Sequence, residues 1–208
     1  ALPDTLEAQD IVINEVLFNP LAGGYDFVEL YNRSDKFINL SDLRIATRDD
    51  SLQIDNMNVI TETGFMIFPG DHVVLSENIA SVYRDYYCQN PLLLLEVEDL
   101  PSYTNTSGRI VICKRNLEVI DEMYYHEDYH FDLLKEVKGV SLERIDYDQP
   151  AADENNWHSA AESVGFGTPT YQNSQYREYG DYNTSFELSP ESISPDNDGY
   201  QDYLNIKY

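Results

Sequence analysis

The chain has 208 residues and a formal net charge of −25, from 38 acidic and 13 basic residues. This charge argues against nucleic acid as a partner, because phosphate binding needs a basic face. The sequence contains no run of 18 apolar residues, which argues against direct insertion into a membrane. Its hydrophobic fraction of 42% is sufficient for the core of one large domain, or of one domain with a further fragment.

The first half of the chain is dominated by strand patterns. Two short apolar runs, "IVINEVLF" (11–18) and "DFVELYN" (26–32), flank a Gly-Gly loop and predict a β-hairpin. The segment "LRIAT" (43–47) predicts a further strand. The segment "GFMIFPGDHVVLS" (64–76) predicts two strands around the turn pair Pro69-Gly70.

One helix is expected, over residues 77–87, with Ser76 as its N-cap. Ile79, Val82, Tyr83 and Tyr86 recur at helical spacing and are predicted to form its buried face.

The strand pattern then resumes. The runs 108–116 and 118–125 predict a second hairpin, and residues 139–146 predict a further strand. About eight short strands separated by turns are typical of a β-sandwich, so the chain is predicted to be all-β with one short helix.

Beyond residue 150 the composition shifts to Asn, Ser, Gly, Tyr and Pro. We expect a loop that returns to the core through Trp157. The Trp157 side chain either fills the end of the sandwich or stacks on a sugar, and the first alternative is favoured. The predicted organisation is a linker at 1–9, a sandwich domain at 10–175, a linker at 176–185, and the start of a second β module, cut short, at 186–208.

Several ordered motifs resemble the lamin tail domain in its bacterial, secreted form. They are "DIVINEVLFNP", "DFVELYNRSDKFINLSDLRIA", "GVSLERI" and "NWHSAAESVGFGTPTYQNS". The resemblance covers roughly residues 10–175 and implies an immunoglobulin-like β-sandwich. "SPDNDGYQD" (194–202) is similar to the start of Ig-like modules at the C-termini of secreted bacterial surface proteins. Together the resemblances imply a non-catalytic interaction or spacer module of an exported, cell-surface bacterial protein.

The segment His126-Glu127-Asp128-Tyr129-His130 matches the H-E-x-x-H signature of zinc proteases. The signature needs a helix that brings both histidines to one face, and a third ligand, for which Glu136 has the usual spacing. A zinc-dependent hydrolase using His126, Glu127 and His130 is therefore an alternative, and it predicts a helix over 122–136. A zinc site at His126 and His130 without catalysis is a further alternative. Because the preceding residues alternate like a strand, a surface or packing loop is favoured.

Asp196, Asp198 and Asp202, with Gly199, resemble a calcium loop. An EF-hand would place Glu at position 207, where this chain has Lys, so only a partial site is predicted. Calcium bound there would make an adhesion module more rigid. The alternative, which is favoured, is a turn in which Asp and Asn side chains bond the backbone. No cofactor is predicted, with calcium as a possible exception.

Other polar residues have structural explanations. Glu15 and Glu29 lie in neighbouring strands and suggest a glycosidase pair, but strand alternation more simply puts one on each outer face or one at a hairpin edge. Arg144 is predicted to pair with a semi-buried carboxylate. Cys88 and Cys113 fit no metal or redox spacing; they either pair in an exported protein, or Cys113 is a buried free thiol.

The 17 tyrosines are the strongest sign of a binding role. They concentrate in "YRDYY", "DEMYYHEDYH" and "YQNSQYREYGDY", beside Asn and Ser, a composition typical of adaptable recognition surfaces. We therefore expect a protein that is not an enzyme, has no catalytic residues, and binds a protein or glycan at the cell surface. No oligomeric state is predicted.

Overall fold

A computed structural model describes residues 3–49, 51–177, 187–189, 193–195 and 202–207. Contacts between Cα atoms divide the chain into two units, residues 1–177 and 178–208. No helix in the described ranges is long and apolar enough to cross a membrane.

The described part of the first unit consists mainly of short strands. They are β1 (Ile11–Leu17), β2 (Phe27–Asn32), β3 (Ile38–Asn39), β4 (Leu43–Arg48), β5 (Ile54–Val59), β6 (Met66–Ile67), β7 (His72–Ser76), β8 (Leu94–Glu96), β9 (Ser107–Lys114), β10 (Val119–His126), β11 (Leu142–Arg144) and β12 (Trp157–Ser159). The helices are α1 (Ile79–Asp85) and the single 3-10 turns Leu40–Asp42, Pro91–Leu93, Glu127–Tyr129, Glu154–Asn156 and Glu162–Val164.

The strands form two main sheets around one core. The larger sheet has the order β12-β11-β1-β2-β7-β8, and the smaller has the order β10-β9-β4-β5. All pairs are antiparallel except β7 with β8, and β3 pairs separately with β6. Apolar side chains from both sheets share one buried cluster, so the prediction of an all-β sandwich is confirmed.

Both predicted hairpins are present: β1 pairs with β2, and β9 pairs with β10. The two strands around Pro69-Gly70 also form, but they join different partners, because β6 pairs with β3 while β7 pairs with β2. Strand β5 was not predicted, since "IDNMNV" has little apolar character and its side chains are largely exposed.

The predicted helix forms over Ile79–Asp85, shorter than the predicted 77–87, and differs in two further details. Its N-cap is Asn78, whose side-chain oxygen accepts a hydrogen bond from Ser81 N at 3.1 Å. Ser76 is instead the last residue of β7 and donates its hydroxyl to the carbonyl of Asp26. Val82 and Tyr86 are buried as predicted, but Tyr83 is 59% exposed because it lies on the flank of the helix.

The second unit is described only in part. β13 (Glu187–Ser189) pairs with β14 (Asn205–Lys207) in an antiparallel arrangement that places Leu188 opposite Ile206.

Cys88 and Cys113 are both free thiols and both buried. Burial raises the pKa of the Cys88 thiol to about 11 and also raises that of Cys113. Since the thiolate is the reactive form, neither residue should react readily in the folded protein.

We therefore expect a thiol reagent such as DTNB to detect almost no thiol in the native protein and two per chain after denaturation without reductant. A reductant should leave the Tm unchanged. Fewer than two thiols in the denatured, unreduced protein would contradict this prediction and indicate a disulfide.

Candidate functional site

The H-E-x-x-H segment does not lie on a helix. Strand β10 continues to His126, and Glu127–Tyr129 forms a single 3-10 turn. The His126 ring caps this turn, because its Nδ1 accepts a hydrogen bond from Asp128 N at 3.1 Å. The zinc-hydrolase alternative predicts a helix over 122–136, and this prediction is wrong. Residues 119–126 form strand β10, as their alternating pattern indicates.

His130 points into the protein and is only 5% exposed. Its Nδ1 lies 2.9 Å from the Ser159 hydroxyl, and its ring lies 5.5 Å from that of Phe18. Burial, with a smaller contribution from His158, lowers the pKa of His130 to about 4. The exposed carboxylate of Glu136 accepts a hydrogen bond from Lys138 N.

These positions do not converge on one point. Among the described residues, no group of three or more His, Cys, Asp or Glu side chains could hold a metal ion. The zinc site at His126 and His130 stays a prediction that this geometry does not support.

The predicted calcium site falls largely outside the described residues. Asp196 and Asp198 lie there, and so does Gly199. Asp202 is described and half-buried. The calcium site stays a prediction.

A cleft of about 630 Å³ opens beside the segment that carries His126. Its volume is within the range of small-molecule sites in proteins. The cleft is lined by Tyr124, His126, Asp128, Tyr129, Ile145, Glu154, Asn155, Trp157 and His158. We call it the aromatic cleft.

Three half-exposed rings form one wall of the aromatic cleft. The ring of Tyr124 lies 6.3 Å from His126 and 6.4 Å from Tyr129, and His126 and Tyr129 are 6.3 Å apart. Arg109 lies over Tyr124, 5.2 Å from the ring centroid, and restrains that side chain. The end of β10 and the 3-10 turn after it therefore present a cluster of three rings, inclined to one another by 35°, 47° and 78°, which we call the platform.

Two further residues that line the cleft, Glu154 and Asn155, are polar. The Asp153 carboxylate caps the 3-10 turn Glu154–Asn156 by accepting from Asn155 N at 3.0 Å, which fixes Glu154 and Asn155 at the surface. Asp128, on the platform side, is also exposed. The cleft thus combines aromatic faces with carboxylate and amide groups.

Trp157 also lines the cleft. It is 3% exposed, belongs to the main core, and donates its indole N–H to the Ala151 carbonyl at 2.9 Å. The predicted return of the chain to the core at Trp157 is confirmed, and this residue lies in β12, at the edge of the larger sheet. The tyrosine-rich segment "DEMYYHEDYH" indicated this region, but only the fold joins Tyr124 and Tyr129 to residues 154–158.

Three glutamates form a second unusual feature, on the outer face of the larger sheet. Glu15 in β1 lies opposite Glu29 in β2 and opposite Glu143 in β11. All three are completely buried. The expectation that Glu15 and Glu29 lie on separate outer faces or at a hairpin edge is wrong, because strand pairing places them side by side.

The segment 166–177 covers these carboxylates; we call it the covering segment. Thr168 N donates to Glu15 at 2.9 Å, and Thr170 N donates to Glu29. Gln175 N donates to Glu143 at 2.8 Å. The backbone and hydroxyl groups of a loop far along the chain therefore satisfy the buried carboxylates, which strand periodicity does not reveal.

Burial has a large electrostatic effect on this cluster. It raises the pKa of Glu15 to about 8, with a further contribution from the charge of Glu143. Burial also raises the pKa of Glu29 well above its usual value, with Glu15 adding to the effect. A glycosidase pair needs access to substrate, and these side chains have none beneath the covering segment.

Comparison with known proteins agrees with this architecture. The family model for the Lamin Tail Domain matches residues 5–127, more than half of the chain. No curated protein is significantly similar to it. The family has an immunoglobulin-like fold and is generally a non-enzymatic module, in keeping with the two-sheet sandwich described above. The chain belongs to the lamin tail domain family.

Proposed function

We propose that this domain is a non-catalytic binding module and that its aromatic cleft takes a neutral glycan. The observation that carries the proposal is that Tyr124, His126 and Tyr129 line one cleft together with the polar residues Glu154 and Asn155. Aromatic faces pack against the C–H faces of sugar rings, while carboxylates and amides bond their hydroxyl groups.

The charge of the cleft favours a neutral ligand over an anionic one. Asp128 and Glu154 are exposed on its rim, and the chain as a whole carries −25. An acidic polysaccharide or a nucleic acid would meet repulsion on approach. A volume of about 630 Å³ also suits a short saccharide better than the flat patch of a standard protein interface.

We also propose that the domain belongs to an exported, cell-surface bacterial protein. The resemblance of the sequence motifs to secreted bacterial lamin tail domains supports this setting, as does the strongly acidic composition. Residues 186–208 are proposed to belong to a separate β module, and the pairing of β13 with β14 supports this.

Removal of either platform tyrosine should abolish most of the glycan affinity. We expect Tyr124→Ala and Tyr129→Ala each to weaken binding about five- to thirtyfold, because each removes roughly 1–2 kcal/mol of ring contact. Isothermal titration against neutral oligosaccharides (cellohexaose, chitohexaose and mannohexaose) measures this. Quenching of Trp157, the single tryptophan, reports on the same cleft.

Tyr83→Ala is the matched control, since Tyr83 is 59% exposed on α1 and does not line the cleft. It should bind as the wild type does. Equal loss in all three variants, or binding of none of the oligosaccharides, would overturn the proposal. Hydrolysis of a bound saccharide would refute its non-catalytic part.

A further inference from the structure

A second cavity, distinct from the aromatic cleft, combines acidic and aromatic side chains. Its volume is about 290 Å³, and Tyr25, Asp26, Glu77, Asp99 and Tyr103 are among the residues that line it. Asp26 comes directly before β2, Glu77 directly after β7, and Asp99 and Tyr103 lie in the loop between β8 and β9. We call it the acidic cavity.

The three carboxylates of the acidic cavity lack a basic partner. Throughout the described ranges, no lysine, arginine or histidine forms an ion pair with any of them. Glu77 accepts a hydrogen bond from Leu100 N at 2.9 Å, which holds the loop in place, and Asp99 accepts one from Asn58. The Asp26 carboxylate accepts none from a described residue.

A buried hydroxyl points independently to a missing partner. Tyr103 is 8% exposed, and its hydroxyl oxygen is buried without a hydrogen-bond partner among the described residues. Burial raises the pKa of Tyr103, and the charges of Tyr125 and then of Asp26 raise it further. The Asp26 carboxylate is therefore close enough to act on this hydroxyl. Since buried polar groups nearly always have a partner, this hydroxyl is available to bond a group that enters the cavity.

The electrostatics of the cavity favour a positive charge. Burial, and then the charge of Glu77, raise the pKa of Asp26 to about 6. A cation placed between the carboxylates would relieve this repulsion, and it could also donate a hydrogen bond to the Tyr103 hydroxyl.

We propose that the acidic cavity binds an alkyl ammonium group, held by Asp26 and Glu77 and bonded to the Tyr103 hydroxyl. An ammonium carries three donors on an apolar stem, which matches acidic groups beside aromatic walls. A metal ion fits less well, because no three or more His, Cys, Asp or Glu side chains in the described part of the chain are grouped to hold one. The ammonium can come from a lysine side chain or from a free diamine.

Titration with Nα-acetyl-lysine amide and with cadaverine, followed by NMR chemical shifts, tests the proposal. We expect saturable binding near about 1 mM or tighter, with shifts at residues 25–26 and 99–103. Nε-acetylated lysine, which lacks the charge, should not bind. Binding of the lysine derivative alone indicates a peptide source, and binding of cadaverine as well indicates a general amine site; both support the proposal.

Asp26→Asn should weaken binding about tenfold or more, and Tyr103→Phe about three- to tenfold, without unfolding the protein. Glu162→Gln removes one exposed negative charge elsewhere and should leave the affinity unchanged. An equal loss in Glu162→Gln would show non-specific attraction and overturn the proposal. A titration with either amine that does not saturate would also overturn the proposal. So would displacement of the amine by calcium, if the Asp26→Asn variant no longer shows it.

Discussion

Replacing Arg144 by methionine is expected to lower the free energy of unfolding by about 3–5 kcal/mol. The Arg144 side chain is completely buried, and its Nη1 lies 2.9 Å from the Asp121 carboxylate, which is 2% exposed. Loss of the guanidinium would leave the Asp121 charge in the protein interior without a counterion. Chemical denaturation at neutral pH measures the effect.

The ion pair links the two sheets of the sandwich. Arg144 comes from β11 in the larger sheet, and Asp121 comes from β10 in the smaller sheet. The guanidinium also donates to the carbonyls of Ile13 and Gln149, and Asp121 accepts from Ile13 N at 2.8 Å. The pair therefore fixes how β1 and β11 sit against β10, and its loss should affect the whole sandwich.

A double variant separates the charge effect from lost packing. Adding Asp121→Asn to Arg144→Met removes the unpaired charge, so it should recover part of the lost stability. Arg109→Met is the control, because Arg109 is 38% exposed in its ion pair with Glu122. It should cost less than about 1 kcal/mol. Additive losses in the double variant would contradict the explanation.

The stability of the domain is expected to fall as the pH rises from about 5 to about 8.5. Glu15 has an ordinary pKa of 4.5 and a folded-state pKa of about 8. Its contribution is therefore fully present below pH 4.5 and is lost as the pH rises through about 8, where folding forces an unfavourable charge into the interior. Glu29 acts in the same direction.

Glu15→Gln should remove most of this dependence. We expect the variant to be more stable than the wild type at about pH 8.5, by roughly 2 kcal/mol or 4–8 °C in Tm, and not more stable at about pH 5. Thermal melts across this range measure the difference.

Glu62→Gln, which removes one exposed charge, controls for general repulsion in a chain of charge −25. It should shift the Tm by less than 1–2 °C at every pH. A wild-type Tm that rises between about pH 5 and 8.5, or an unchanged slope in Glu15→Gln, would contradict the electrostatic account of the buried glutamates.

The architecture of the sandwich was predictable because its hairpins are local. The runs 11–18 and 26–32 are apolar, flank a Gly-Gly loop and are close in sequence, so the pairing of β1 with β2 follows from the pattern. The structural role of Arg144 was also predicted and is confirmed. Its partner was not, because Asp121 lies 23 residues away on the other sheet.

The candidate sites were harder to predict because they depend on distant contacts. A β-bulge between Ile13 and Glu15 shifts the alternation that would otherwise place Glu15 on the same face as Ile13. The strand pattern shows neither this bulge nor the burial of Glu15 by Thr168 from the covering segment. In the same way, "DEMYYHEDYH" marks Tyr124 and Tyr129 as unusual, but the aromatic cleft exists only where this segment meets residues 154–158. The H-E-x-x-H match misleads because it specifies spacing and not the helix that the chemistry needs.

The most direct test of the proposed function is chemical-shift mapping of the domain with the tightest-binding neutral oligosaccharide, followed by analysis of the recovered sugar. The account predicts saturable shifts at Tyr124, Tyr129 and the indole N–H of Trp157, with the oligosaccharide recovered intact. Shifts confined to other surfaces, no shifts with any neutral oligosaccharide, or a cleaved product would contradict it.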